Sequence, residues 1–338
     1  MEKFAKNLAF SLLIALGTLT VIILIVGPSR VLSALHSAKP SYLFLTLGLW
    51  MTSIALESIS FMVGSRFSST SMGFSQGFLL TIIGRFFSAI TPFATGGQPA
   101  QAYVMTKKDN IDIAEGLGIL VIKFLMYQFV ITFYGVVILI FAYPLAKRYI
   151  SNLASLAFIG FALNSFAIFL ILLFSLNEKF TRGLLHFIIN TLAFLRLIRE
   201  PGKLKDEMVN KIRTFRSILK NISHFPFRTS FMALLILGQY VAAMAMAYTV
   251  YKAFGGSGHS ILEIIGIQSV LTLLVGFVPT PGASGAQEGV FFLLYKSLLG
   301  VNVGGALVAW RFFSYYINII VGAMFLPSSK PRRNSHEE

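Results

Sequence analysis

The sequence predicts an all-α polytopic membrane protein: an inverted repeat of helix–re-entrant hairpin–helix with about six full spans and two re-entrant hairpins. Three observations predict it. The 338 residues are 56% hydrophobic and 12% charged, against about 25% charge in soluble chains. Several uncharged apolar runs approach about 20 residues, the length a helix needs to cross hydrocarbon. A helix-breaking octapeptide is also written twice: residues 91–98 read TPFATGGQ and residues 280–287 read TPGASGAQ, at an offset of 189 with five of eight positions identical.

Hydropathy marks nine segments: 8–27, 41–63, 74–90, 116–143, 152–176, 229–251, 264–278, 285–299 and 302–326. The first reads as an uncleaved span, because no small-residue cleavage site follows it. Segment 177–225 differs in kind, with ten Lys/Arg against four Asp/Glu. Within it Leu204, Met208, Ile212, Phe215, Leu219 and Ile222 recur at spacings of three and four. That pattern predicts a basic amphipathic connector lying on the inner leaflet. Residues 1–326 are expected to form one transmembrane domain, followed by a cytoplasmic tail at 327–338.

Cation placement orients the chain. With 177–225 and the tail cytoplasmic, 41–63 runs inward and 116–143 runs outward, so 74–103 must enter and leave on the cytoplasmic side. In the second half, 264–299 must enter and leave from outside. The two breaks then sit at the tips of opposed hairpins, in repeats of about 41–143 and 229–326. Both termini are expected in the cytoplasm of a cell membrane. The formal charge of +15 is read as positive-inside bias and contact with anionic lipid, not nucleic acid. No cysteine is present, and neither a zinc spacing, a P-loop nor a dinucleotide fingerprint occurs, so no metal or cofactor is expected.

Irregular backbone survives at membrane depth only where it is buried in protein or lines a wet cavity. Pro92, Pro279 and Pro281 stop helices, and Gly96, Gly97, Gly282 and Gly285 permit unusual backbone angles. Thr91, Thr95, Thr280 and Ser284 offer hydroxyls to cap the helices that restart at Gln98 and Gln287. Those restarted helices present free N–H groups, an anion site, with Gln101 beside the first. Buried charge adds Glu57, Arg85, Lys123, Glu288 and Arg311, each expected to face a cavity or a partner. Lys123 and Arg311 follow Gln98 and Gln287 by 25 and 24 residues. Each repeat therefore delivers one cation after its break, and a phosphate suits such a chamber. Glu57 reads as an ion pair or a coupling-proton carrier, and Glu288 as a titrating or cation-binding group.

The stretches PFATGGQPAQAY (92–103) and VPTPGASGAQEG (278–289) resemble the flippase-like membrane proteins of the lysylphosphatidylglycerol synthase transmembrane family, over roughly 8–326. The resemblance implies movement of a polar lipid between leaflets; in the best-understood relatives this is an aminoacylated phosphatidylglycerol. The family's synthases carry a soluble transferase domain after the membrane part. Here the chain stops at Glu338, so no enzymatic activity is expected. Gln98 stands where such motifs are often acidic, and Gln101 and Gln287 where a basic residue is common, so substrate identity does not carry over.

The leading expectation is therefore a lipid translocator with anionic headgroups as ligands. A second is a non-transporting subunit that recruits a cytoplasmic transferase through 177–225. A third, remote reading is an intramembrane serine protease using Ser284, which lacks a nearby histidine in sequence. The glycine-rich stretch Gly300–Gly305 offers a helix-packing surface for a homo-oligomer.

Overall fold

The computed structural model describes residues 26–146 and 216–329, except 219 and 277, together with scattered positions between 17 and 24 and between 169 and 190. Most of the spans expected at 8–27 and 152–176, most of the basic connector and the end of the tail lie outside the described residues. Among the described residues every regular element is helical: α1 Pro28–Ser37, α2 Pro40–Ser65, α3 Phe74–Ile90, α4 Gly97–Lys107, α5 Ile113–Ala146, α6 Pro226–Ala253, α7 Ile261–Val275, α8 Ala286–Leu299, α9 Val303–Arg311 and α10 Ile317–Phe325. A π-helical turn, Phe312–Tyr316, joins α9 to α10. Single 3₁₀ turns, Pro92–Ala94 and Pro281–Ala283, occupy the repeated motifs.

Four stretches are long and apolar enough to cross a membrane: Pro40–Ser65, Ile113–Ile138, Pro226–Ala253 and Pro281–Phe325, the last interrupted at Gly300–Asn302. The helices flanking the breaks are shorter. α3, α4, α7 and α8 hold 17, 11, 15 and 14 residues. At 1.5 Å per residue they reach about 25, 17, 22 and 21 Å, less than the roughly 30 Å of a hydrocarbon core.

Local chemistry sets the ends. Pro40 and Pro226 open α2 and α6, where a missing N–H costs nothing. Ser260 caps α7: its hydroxyl accepts the Glu263 amide at 3.3 Å, and the Glu263 carboxylate accepts the Ser260 amide at 2.7 Å. This is a reciprocal capping box.

α2 and α6 pack along their length at the centre of the fold, joined by the Thr46 and Thr249 hydroxyls 2.8 Å apart. α3 lies so close to α2 that a β-carbon at Gly77 would strike the carbonyl of Ser58; small residues permit such approach between apolar helices. α4 folds back along α3, with Gln101 Nε2 donating to the Leu80 carbonyl at 3.0 Å. α8 folds back along α7, with the Tyr295 hydroxyl donating to Gln268 Oε1 at 3.2 Å. Two further contacts link the halves as an exchanged pair: α5 packs on α7, and α10 packs on α3.

Some elements depart from expectation. α5 runs three residues past each end of the 116–143 segment, and 302–326 is two helices joined by a π turn. α1 went unrecognised in the sequence; it packs on α9. The described end of the connector docks on the bundle rather than on lipid alone. Ile218 is buried against α5 and α6, and Asn221 Nδ2 donates to the Phe67 carbonyl at 2.7 Å.

Candidate functional site

The repeated motif carries a repeated backbone. Phe93 and Gly282 take φ of 53° and 58°, and Ala94 and Ala283 take 55° and 49°, at the same offset of 189 that relates the sequences. Left-handed backbone costs an L-residue about 1–2 kcal/mol, so three of these four positions hold strain that surrounding contacts must fix. The two 3₁₀ turns lie against each other.

The hydroxyls behave differently in the two breaks. Thr91 Oγ1 donates to the Phe87 carbonyl at 2.7 Å and accepts the Gly96 amide at 2.8 Å, serving the start of α4. Thr95 Oγ1 donates to the Pro92 carbonyl at 3.0 Å. Thr280 Oγ1 instead donates to the Ser284 carbonyl at 2.9 Å. The corresponding amide, Gly285 N–H, goes to the Glu288 carboxylate at 2.7 Å. The start of α8 thus holds its own anion, whereas the first turn of α4 contains no acidic residue.

Between the breaks lies a cavity of ≈ 740 Å³ walled by both halves of the chain. Of the residues expected at a site, Glu57, Arg85, Thr95, Gly97, Gln98, Gln101, Lys123, Gln287 and Arg311 line it; Thr91, Gly96, Thr280, Ser284, Gly285 and Glu288 stand outside the lining.

The charged residues form two clusters of unequal make-up. In the first, the Glu57 carboxylate on α2 accepts from Lys123 Nζ at 2.6 Å, Arg85 Nε at 2.8 Å and Gln239 Nε2 at 3.2 Å. Arg85 also donates from Nη2 to Ser53 at 2.7 Å, which leaves its Nη1 without a partner among the described residues. Lys123 Nζ sits 3.8 Å from the centre of the Phe61 ring. In the second cluster, Arg311 Nε donates to Glu288 at 2.5 Å, Nη1 to Gln287 at 3.0 Å, and Nη2 to Ser284 Oγ at 3.0 Å and the Gly282 carbonyl at 3.4 Å.

Exposure separates them. The side chains of Arg311 and Glu288 are 2% and 0% exposed, those of Glu57, Lys123 and Arg85 10%, 14% and 20%. Arg311 therefore spends every nitrogen on the protein and pins the second break. Glu288 gives one carboxylate oxygen to Arg311 and the other to the amide at the start of its own helix. Ser284 accepts from a guanidinium, which has no basic lone pair to activate it, and no histidine lines the cavity among the described residues. No cluster of metal-binding side chains occurs among them either.

Sequence reading missed several lining residues: Gln239, Gln268, Asn318, Tyr127 and Tyr240. Gln239 carried a visible signal, an amide in the middle of an apolar span. Its Oε1 is buried without a partner among the described residues. The tyrosines carried none, since aromatic residues are ordinary in such helices. The halves also meet in the cavity wall, where Trp50 Nε1 donates to Asn318 Oδ1 at 3.1 Å.

Comparison with known proteins covers almost the whole chain. A UPF0104 membrane protein of Methanothermobacter thermautotrophicus is 25% identical over 335 residues, covering 94% of each chain. The family described as the lysylphosphatidylglycerol synthase TM region matches residues 8–322, nearly the whole length, with three of the four candidate spans, most of the fourth and both breaks inside the match. The chain is an integral membrane protein, and it belongs to that family.

Proposed function

We propose that the protein translocates a polar lipid with a phosphate-bearing headgroup between leaflets, the headgroup passing through the cavity between the two breaks while the acyl chains stay in the bilayer. One observation carries the reading: a cavity of ≈ 740 Å³, within the size of small-ligand sites, is lined by both breaks and by Arg85, Lys123 and Arg311. Three cations face two carboxylates, Glu57 and Glu288, so the two clusters together keep one positive charge. A buried excess charge is costly unless an anion joins it.

The hairpins α3–α4 and α7–α8 are read as re-entrant, entering from opposite leaflets, because each limb is short for a crossing and folds back on its neighbour. The paired packing of α5 on α7 and α10 on α3 supports an inverted repeat, the arrangement by which secondary transporters expose one site alternately to each side. Both termini and the basic connector are assigned to the cytoplasm on charge bias.

The test is reconstitution of purified protein in liposomes carrying leaflet-reporting fluorescent lipids. Wild type should speed the exchange of phosphatidylglycerol, and Lys123→Gln should reduce it by about tenfold, the effect of one charge-assisted contact. Equal rates in protein-free and protein-containing vesicles would defeat the proposal.

A further inference from the structure

We infer that the first break, not the second, is the headgroup seat, and that Glu57 sets its charge count so that it accepts a singly charged phosphodiester. The inference rests on the translocation reading and adds to it the anion class and the residue that selects it.

The two breaks are alike in sequence and backbone but opposite in availability. At the second, the start of α8 is occupied by Glu288, and the Arg311 nitrogens are all engaged. At the first, the start of α4 carries no acid, and Gly97 and Gln98 line the cavity. Arg85 retains Nη1, and Lys123 makes one hydrogen bond with a head that carries three donors. An anion entering the cavity therefore finds open cationic donors on one side only.

Charge counting then fixes the anion. Arg85 and Lys123 share Glu57, which leaves the first cluster at one positive charge. A phosphodiester carries one negative charge and brings the cluster to neutrality. A phosphomonoester, with a second pKa near 6 and hence about −1.5 to −2 at neutral pH, would overshoot it. A zwitterionic headgroup would leave the excess in place. Gln239 ties the count to geometry: its Nε2 holds Glu57 at 3.2 Å, while its Oε1, unpartnered among the described residues, accepts from a headgroup hydroxyl.

Substitution changes the count in steps. Lys123→Gln takes the cluster to zero, Glu57→Gln takes it to plus two, and the double variant returns it to plus one. Binding is read by native mass spectrometry of the detergent-solubilised protein with short-chain phosphatidylglycerol, phosphatidic acid and phosphatidylcholine, with soluble glycerophosphoglycerol as a lipid-free arm. Thermal unfolding of each variant tracks folding. Wild type should favour phosphatidylglycerol, Lys123→Gln should lose it by about tenfold, and Glu57→Gln should shift preference to phosphatidic acid. The double variant should recover phosphatidylglycerol, which a merely structural pair would not do.

Failure of the double variant to recover, or equal binding of the three lipids by wild type, overturns the inference. Glycerophosphoglycerol binding as tightly as the lipid would uphold the charge count and overturn the lipid reading. Binding with the expected preferences but no exchange in liposomes would likewise defeat translocation alone.

Discussion

The hydroxyl of Tyr315 donates to the backbone carbonyl of Ala89, 3.1 Å away and 226 positions earlier in the chain. This bond joins the π turn after α9 to the last turn of α3, so it ties one break's surroundings to the other's. The same ring lies 4.6 Å from the Arg311 guanidinium carbon and covers Gly282. π turns occur often at functional positions, and this one aims Tyr315 at the seam.

Tyr315→Phe removes only the hydroxyl, and its stability cost should be small, about 1 kcal/mol for one hydrogen bond. Exchange in liposomes should change by a larger factor than stability does, because the bond spans the seam that must rearrange. Parallel melting and transport measurements check this; an unchanged rate would mean the seam does not move.

Arg311→Met leaves Glu288 buried and unpaired, a change worth about 3–5 kcal/mol. Unfolding in detergent, followed by the fluorescence of the two tryptophans, should show the loss. Arg311→Met combined with Glu288→Met should restore much of it, since an apolar pair of similar volume avoids the unmatched charge. If the double variant melts no higher than the single one, the pair is not the pin of the second break.

Gly282→Ala should destabilise the second break by more than the roughly 1–2 kcal/mol of its left-handed backbone, because the new β-carbon would strike the Tyr315 ring. Ala283→Gly is the converse: at φ of 49° the glycine relieves strain, and stability should hold or rise. Melting temperatures moving in those opposite directions verify the strained turn.

Phe74 and Lys107 bound the first hairpin, and both are exposed. Single cysteines there, in a chain with none of its own, should react with an impermeant thiol reagent from the same side of sealed vesicles. Labelling from opposite sides would make the hairpin a crossing and remove the basis for an inverted repeat.

Much of this architecture was readable in one dimension. Hydrocarbon has a fixed thickness and water-excluded backbone must pair with itself, so apolar run length gave the membrane class. Pro and Gly marked both breaks, and α3 falls on the expected 74–90. Arg85, Lys123 and Arg311 were suspect because charge in apolar sequence is costly. Which carboxylate each would meet was not legible. A matched motif suggested matched roles for Lys123 and Arg311, yet one shares Glu57 with a second cation and the other is locked to Glu288. Those pairings depend on how helices rotate about their axes and how closely they approach. That is set by side-chain packing among segments up to 268 positions apart, as for Trp50 and Asn318, and composition and period carry no record of it.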